Sequence, residues 1–213
     1  MKTDDLIEML ATGPDVVAAR APGAPSILLV LGAVLSSVVL MLVTLGMRAH
    51  LAQALLLPAF WLKLLFSLGL AGAGWLAVRR LSSPGARTTA LPFVAGAPVA
   101  LVWLAAAIAL IEVAPELRAA LFWGSTWRYC PSLIALLSLP IFAATFSIMR
   151  RGAPTRLRLA GAAAGLASGG AAAAVYCLHC PEASAVFVGF WYLLGILAPT
   201  AAGALIGPRV LAW

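Results

Sequence analysis

Six long apolar segments constrain this chain more than any other feature of its sequence. They cover residues 26–46, 58–78, 90–111, 130–149, 157–178 and 183–206. Each is close to the roughly 20 residues that an α-helix needs to cross about 30 Å of hydrocarbon. Of the 213 residues, 63% are hydrophobic and only 10% are charged, too few polar residues to cover a soluble domain. The sequence therefore predicts an all-α, polytopic bundle of six transmembrane helices (26–207), flanked by tails 1–25 and 208–213.

The basic residues predict how this bundle is oriented. Ten of them lie in the two tails and in the second and fourth connections, whereas the alternate connections hold only Arg48, Arg118 and Arg128. Because Lys and Arg accumulate on the cytoplasmic side, we expect both termini in the cytoplasm and residues 47–57, 112–129 and 179–182 at the outer face of a bacterial inner membrane. The formal charge of +7 is thus explained by topology, and no direct contact with nucleic acid is expected.

Small residues predict close helix packing. Gly161, Gly165 and Gly169 are spaced four residues apart in the fifth segment, and Gly203 and Gly207 share that spacing in the sixth. Such faces let two helix backbones approach closely. We expect them to pack within the bundle, and a dimer face is the alternative.

Three cysteines are the chemically distinctive residues. Cys177 and Cys180 form a C-x-x-C pair in "YCLHCPE", and Cys130 lies in "YCPSL" at the start of the fourth segment. The predicted topology brings Cys130 and Cys180 to the outer face, where thiols are able to form disulfides. Two interpretations stay open: a soft-metal site at Cys177 and Cys180, with Cys130 as a third ligand and His179 as an auxiliary one if the turn unwinds, or a redox pair of Cys180 with Cys130 or with Cys177. For Cys177 alone, a third is a small core residue.

Lys63 is the ionisable residue that lies well inside a segment. Its position near Pro58 predicts that the side chain snorkels outward or pairs with an outer acid such as Glu112, Glu116 or Glu182. A transport role is not favoured, because no second buried carboxylate or histidine continues a relay.

The N-terminal stretch "MKTDDLIEML" predicts a short acidic amphipathic helix. It begins with a candidate N-cap, Thr3, and at about ten residues it is marginal alone in water. Such a helix suits a groove on a basic cytoplasmic protein, whereas a disordered lead-in to the first span is the alternative. The expected partner-binding residues are Asp4, Asp5, Leu6, Ile7, Glu8 and Leu10.

Over almost its whole length the sequence resembles the NrsF-type membrane anti-sigma factors, which restrain extracytoplasmic-function sigma factors in bacteria. The resemblance rests on "MKTDDLIEML", "FWLKLL", "RRLSSPGA", "CPSLIALLSLP" and "LHCPEASAVFVGFWYLLGI", in this order. It implies a sigma factor bound at the cytoplasmic face, and heavy metals or oxidants perceived at the outer face by Cys130 and Cys180. Cys177 is not part of the family pattern. No enzymatic activity and no resident cofactor are implied, apart from a transient soft metal ion at the cysteines.

Two other functions remain as alternatives. C-x-x-C near an outer face is compatible with a membrane thiol oxidoreductase, although such a relay usually needs two cysteine pairs and the chain has three cysteines. A small metal or solute transporter is the second alternative. It is not favoured, because the predicted membrane segments of this chain contain no acidic residue.

Overall fold

Helices form the framework of the protein in a computed structural model that describes residues 24–83, 88–152 and 154–212, together with Thr3, Asp5 and Glu8. In chain order the helices are α1 (Ala24–Thr44), α2 (Leu51–Ala54), α3 (Pro58–Leu81), α4 (Leu91–Glu112), α5 (Pro115–Trp123), α6 (Cys130–Met149), α7 (Leu157–Tyr176) and α8 (Ala185–Val210). Of these, α1, α3, α4, α6, α7 and α8 are long and apolar enough to cross a membrane. The predicted all-α fold with six spans is confirmed.

The ends of the helices differ from the predicted segments by a few residues. The third helix α3 continues to Leu81, and α8 runs from Ala185 to Val210. Helix α7 ends at Tyr176, because the amides of His179 and Cys180 both donate to the Tyr176 carbonyl and turn the chain before Pro181. The C-x-x-C pair therefore lies in the connection rather than in the helix.

Helix α7 is the centre of the bundle. It packs against α8, α3 and α6, whereas α1 packs mainly on α6 and α4 contacts α3 and the first turns of α8. Gly161 faces Gly203 and Gly207 across the α7–α8 contact, so an added Cβ would meet the backbone of α8. The prediction that these glycines pack within the bundle is confirmed, and the outer helices leave many of their leucines exposed on the surface.

The helix connections gather at the two ends of the bundle. We call the end formed by residues 45–57, 113–129 and 177–184 the cysteine end, and the end formed by 82–83, 88–90, 150–152 and 154–156 the arginine end. At the arginine end, Arg156 donates to the Thr88 hydroxyl at 3.3 Å. Thr3, Asp5 and Glu8 have helical backbone and exposed side chains, whereas Asp4, Leu6, Ile7 and Leu10 of the predicted tail helix lie outside the described residues.

Candidate functional site

Cys130 and Cys180 come together at the cysteine end, although fifty positions separate them in the sequence. Cys130 is the first residue of α6, and Cys180 lies in the turn between α7 and α8. The two side chains lie close enough to interact with each other. Both are free thiols with 0% exposed surface. The structure thus forms a buried pair of adjacent sulfurs, which we call the thiol pair.

Cys177 is buried beside the thiol pair but faces a different helix. Its sulfur lies 4.0 Å from the hydroxyl of Ser67 on α3. Among the described residues, no three side chains of His, Cys, Asp or Glu are arranged to hold one metal ion. The structure therefore supports a site of two sulfurs, with Cys177 as a neighbour.

His179 points away from the thiol pair. Its Nδ1 lies 3.0 Å from the carbonyl oxygen of Gly46, in the connection after α1. The Arg48 amide also donates to the carbonyl of Leu178 at 3.3 Å. These contacts attach the α7–α8 turn to the α1–α2 connection, so His179 acts as a structural contact there.

Lys63 is buried directly beneath the α7–α8 turn, with only 1% of its surface exposed. Its ammonium donates to the carbonyl oxygens of Cys180 and Glu182, both at 2.9 Å. The expected snorkelling towards the outer face does not occur, because these carbonyls satisfy the ammonium inside the protein. The expected acid, Glu182, contributes its backbone oxygen rather than its carboxylate.

A positive charge beside the thiol pair changes the acidity of one sulfur. The neighbouring Cys130 thiol, together with the nearby Lys63 ammonium, holds the pKa of the Cys180 thiol below its usual value, although burial acts in the opposite direction. A thiolate is the form that attacks oxidants and binds soft metals. The lowered pKa therefore favours the thiolate form of Cys180.

Tyr192 closes the site from α8. A π-helical turn, Val188–Tyr192, places its ring 5.5 Å from the Lys63 ammonium and 5.8 Å from the ring of Tyr176. Within the described part of the chain, its hydroxyl is the buried polar side-chain atom without a hydrogen-bond partner. Neither Tyr192 nor the role of Lys63 is predicted from the sequence. The one usable signal was a lysine inside an apolar segment.

An aromatic cluster covers the site towards α5. It joins α5, the α5–α6 connection and α8, and the centroids of its contacting rings lie 4.7–5.8 Å apart. The Trp191 indole N–H also donates to the Phe122 carbonyl at 2.8 Å. The cluster consists of Phe122, Trp123, Trp127, Phe190 and Trp191. It fixes the position of α5 and therefore of the connection that leads to Cys130.

Comparison with known proteins gives full-length matches. The family described as NrsF, negative regulator of sigma F, matches residues 10–213. The probable anti-sigma-F factor NrsF of Azospira oryzae is 51% identical over 213 residues, and the anti-sigma-F factor NrsF of Caulobacter vibrioides is 42% identical over 219 residues. In both comparisons all of this chain and all of the relative are covered. No solved structure shows significant similarity to the chain.

Proposed function

This chain belongs to the NrsF family of negative regulators of sigma F, and on that premise we propose that it is a membrane anti-sigma factor that releases its sigma factor when the thiol pair reacts. The relatives are regulatory anti-sigma-F factors, so the chain is a regulator rather than an enzyme. The oxidoreductase and transporter alternatives lose their support for the same reason.

The observation that carries the sensing proposal is the contact between Cys130 and Cys180. Two adjacent thiols lose two protons and two electrons to an oxidant such as hydrogen peroxide, which becomes two waters, and the sulfurs join in a disulfide. A soft divalent ion instead displaces both thiol protons and binds the two sulfurs. Both reactions join the start of α6 to the α7–α8 turn.

Orientation follows from the charges at the two ends. The arginine end is proposed to face the cytoplasm, in line with the distribution of basic residues, and the cysteine end the periplasm. The sigma factor, of the extracytoplasmic-function type, is proposed to bind the cytoplasmic tail and the arginine end. The exposed acids Asp5 and Glu8 lie in the tail helix expected to contact it.

Helix α7 offers a physical route between the two ends. Closely packed helices shift as rigid bodies rather than bend continuously. A displacement of the α7–α8 turn would therefore reach residues 150–156 at the other end of the bundle. A tenfold change in sigma-factor affinity needs only about 1.4 kcal/mol of difference between the two states.

The test is a sigma-F-dependent reporter in cells that carry single-cysteine variants. With Cys130→Ser or Cys180→Ser we expect basal repression to persist, because a serine hydroxyl fills nearly the same space, whereas induction by cadmium or peroxide is lost. Cys177→Ser is the matched control and should keep its induction. Normal induction in both Cys130→Ser and Cys180→Ser would refute the thiol sensor without touching the family membership.

The partner site is tested separately through the tail. Deletion of residues 1–23 should raise sigma-F-dependent transcription without any inducer, and a pull-down with the full-length protein should recover sigma F. An intact protein that recovers no sigma F would contradict the proposed partner.

A further inference from the structure

A sensor whose sulfurs are fully buried must open before an inducer reaches them. Cys130 and Cys180 both have 0% exposed surface. A reagent in water therefore reacts only with the fraction of molecules in which the cover has opened locally. In the regime of fast reclosing, the reaction rate is proportional to that fraction. The contacts that hold this cover closed therefore determine how fast a reagent reacts with the thiol pair.

The contact between Glu182 and Ser125 is a polar connection across this cover, which consists of the α5–α6 connection and the α7–α8 turn. One carboxylate oxygen, Oε1, accepts the backbone N–H of Ser125 at 2.7 Å and its hydroxyl at 2.6 Å. Hydrogen bonds to an ionised acceptor are short and stronger than neutral ones. The two bonds join the α5–α6 connection to the α7–α8 turn.

Backbone geometry adapts the α5–α6 connection to this contact. Gly124 has φ 53°, a conformation that side chains rarely adopt. A Cβ at Gly124 would lie 2.8 Å from Cδ of Glu182. The missing side chain therefore makes the space that the carboxylate occupies.

Both joined segments lead directly to the sulfurs. Glu182 is two residues after Cys180, and the hydroxyl of Thr126, next to Ser125, lies 3.9 Å from the Cys180 sulfur. The Cys130 amide donates to the Thr126 carbonyl at 3.0 Å. On the opposite side, Lys63 holds the carbonyls of Cys180 and Glu182. The turn is thus held to α3 on one side and to residues 124–126 on the other.

We infer that the Glu182–Ser125 contact is a latch that controls the access of small reagents to the thiol pair and sets the inducer concentration at which the protein responds. The part of this inference that concerns the response rests on the proposed sensor function. The part that concerns access does not, because it describes the closed structure alone.

Thiol-labelling kinetics test the latch directly. Full-length protein is reacted with N-ethylmaleimide in detergent or native membranes, on a Cys177→Ser background so that only the thiol pair reports. With Glu182→Ala we expect labelling to accelerate roughly tenfold, because two hydrogen bonds to a charged acceptor are lost. Ser125→Ala keeps the backbone N–H and should accelerate labelling less, about two- to fivefold.

Four comparisons separate the latch from other effects. Glu116→Ala removes an acid from α5, at the same end of the bundle, and should leave the rate unchanged. Labelling in denaturant must be equal for all variants. Ser125→Ala retains the carboxylate, so its acceleration cannot arise from a change of charge near the sulfurs. Glu182→Gln keeps one acceptor oxygen and should lie between wild type and Glu182→Ala.

The latch proposal is refuted if the thiol pair of the Glu182→Ala variant is labelled at the wild-type rate. It is also overturned if Glu116→Ala accelerates labelling equally, or if Glu182→Gln and Glu182→Ala accelerate equally while Ser125→Ala has no effect. In the reporter assay, Glu182→Ala should shift half-maximal induction to a several-fold lower inducer concentration. If labelling were faster but the induction curve did not shift, the contact would still control access to the thiol pair. The inference that it sets the inducer concentration would then be refuted.

Discussion

The two parts of helix α7 are held by different kinds of contact. Along most of its length the contacts are between backbones. An added Cβ on Gly165 would meet the carbonyl oxygen of Pro199 on α8, and one on Gly170 would lie 2.5 Å from the amide nitrogen of Ala71 on α3. Beyond its last turn, the chain is instead held by polar side chains, chiefly Lys63 and Glu182.

This difference separates the part that transmits from the part that responds. Backbone contacts between helices have no rotamers to change, so the α7–α8–α3 core moves as one body or not at all. Side-chain hydrogen bonds at the cysteine end break and re-form locally at modest cost. A switch needs both properties: contacts that break locally where the inducer reacts, and a rigid helix core that carries the displacement to the other end.

Among the variants that test this comparison, Gly165→Leu is expected to have the largest effect on stability. The new side chain has no space against the Pro199 backbone, and neither helix is able to move without separating from its other partners. We expect a loss of more than about 3 kcal/mol of stability, at or beyond the usual cost of overpacking. Unfolding in mixed micelles and the amount of protein in the membrane measure it.

Gly72→Leu is the matched control. It makes the same substitution in α3, where a Cβ would find no neighbouring atom within 4 Å. We expect wild-type stability. Equal destabilisation by both variants would show that helix contacts do not distinguish these glycines, and the proposed rigid core would be wrong.

A glycine of the cysteine end should behave differently. Gly124→Ala strains a backbone at φ 53° and brings its Cβ to 2.8 Å from Cδ of Glu182, the end of a flexible side chain. We expect a loss of about 1–3 kcal/mol, with faster labelling of the thiol pair because Glu182 must move. Chemical unfolding and labelling kinetics measure the two effects.

Gly46→Ala separates backbone strain from the contact with Glu182. Gly46 has φ 74°, but a Cβ there would have no neighbour within 4 Å. Similar destabilisation with unchanged labelling is expected. If Gly46→Ala accelerated labelling as much as Gly124→Ala, the cysteine end would be loosened in general rather than unlatched at Glu182.

The sequence was sufficient for the rigid part of the molecule. Apolar length gives the six spans, and the four-residue spacing of Gly161, Gly165 and Gly169 identifies the contact face of α7, because both are consequences of helix periodicity. Alternating connections also placed Cys130 and Cys180 at the same end. Their direct contact follows from the packing of α6 against α7, which no local pattern encodes.

The polar part of the site could not be predicted in the same way. The partners of Lys63 are backbone carbonyls in a turn nearly 120 positions away, and backbone atoms carry no sequence signature. Glu182 was considered as a partner of Lys63, whereas its carboxylate binds Ser125. Tyr192 reaches the site because of a π-helical turn that apolar periodicity does not reveal.

The charge beside the sulfurs is the next test. Lys63→Met removes the ammonium near Cys180, so the pKa of the Cys180 thiol should rise and less thiolate should be present at neutral pH. The pKa of the Cys180 thiol is about 6, so a rise of about one pKa unit should slow alkylation of Cys180 about tenfold at about pH 5 but only about twofold at about pH 7, and the midpoint of its pH profile should move upward. Measurement on Cys177→Ser protein isolates the pair.

Lys63→Arg is the conservative control for that variant. It keeps the charge and the donors, and should restore most of the neutral-pH reactivity. A purely structural role for Lys63 would change the rate without moving the pH midpoint. That result would exclude the ammonium as the cause of Cys180 reactivity.

The smallest change in stability is expected in the aromatic cluster, where the rings pack against one another and one hydrogen bond fixes their position. Trp191→Phe keeps a ring in the cluster and removes the donor to the Phe122 carbonyl at 2.8 Å. A partly buried carbonyl without its donor should cost about 0.5–1.5 kcal/mol. Trp61→Phe also loses an indole bond, to the Leu55 carbonyl at 2.9 Å, but this exposed carbonyl is able to bind water. Thermal unfolding should therefore rank Trp191→Phe below Trp61→Phe in stability. The reverse order would mean that the Phe122 carbonyl is as accessible to water as the Leu55 carbonyl, and the aromatic cluster would not exclude water from this side of the cysteine end.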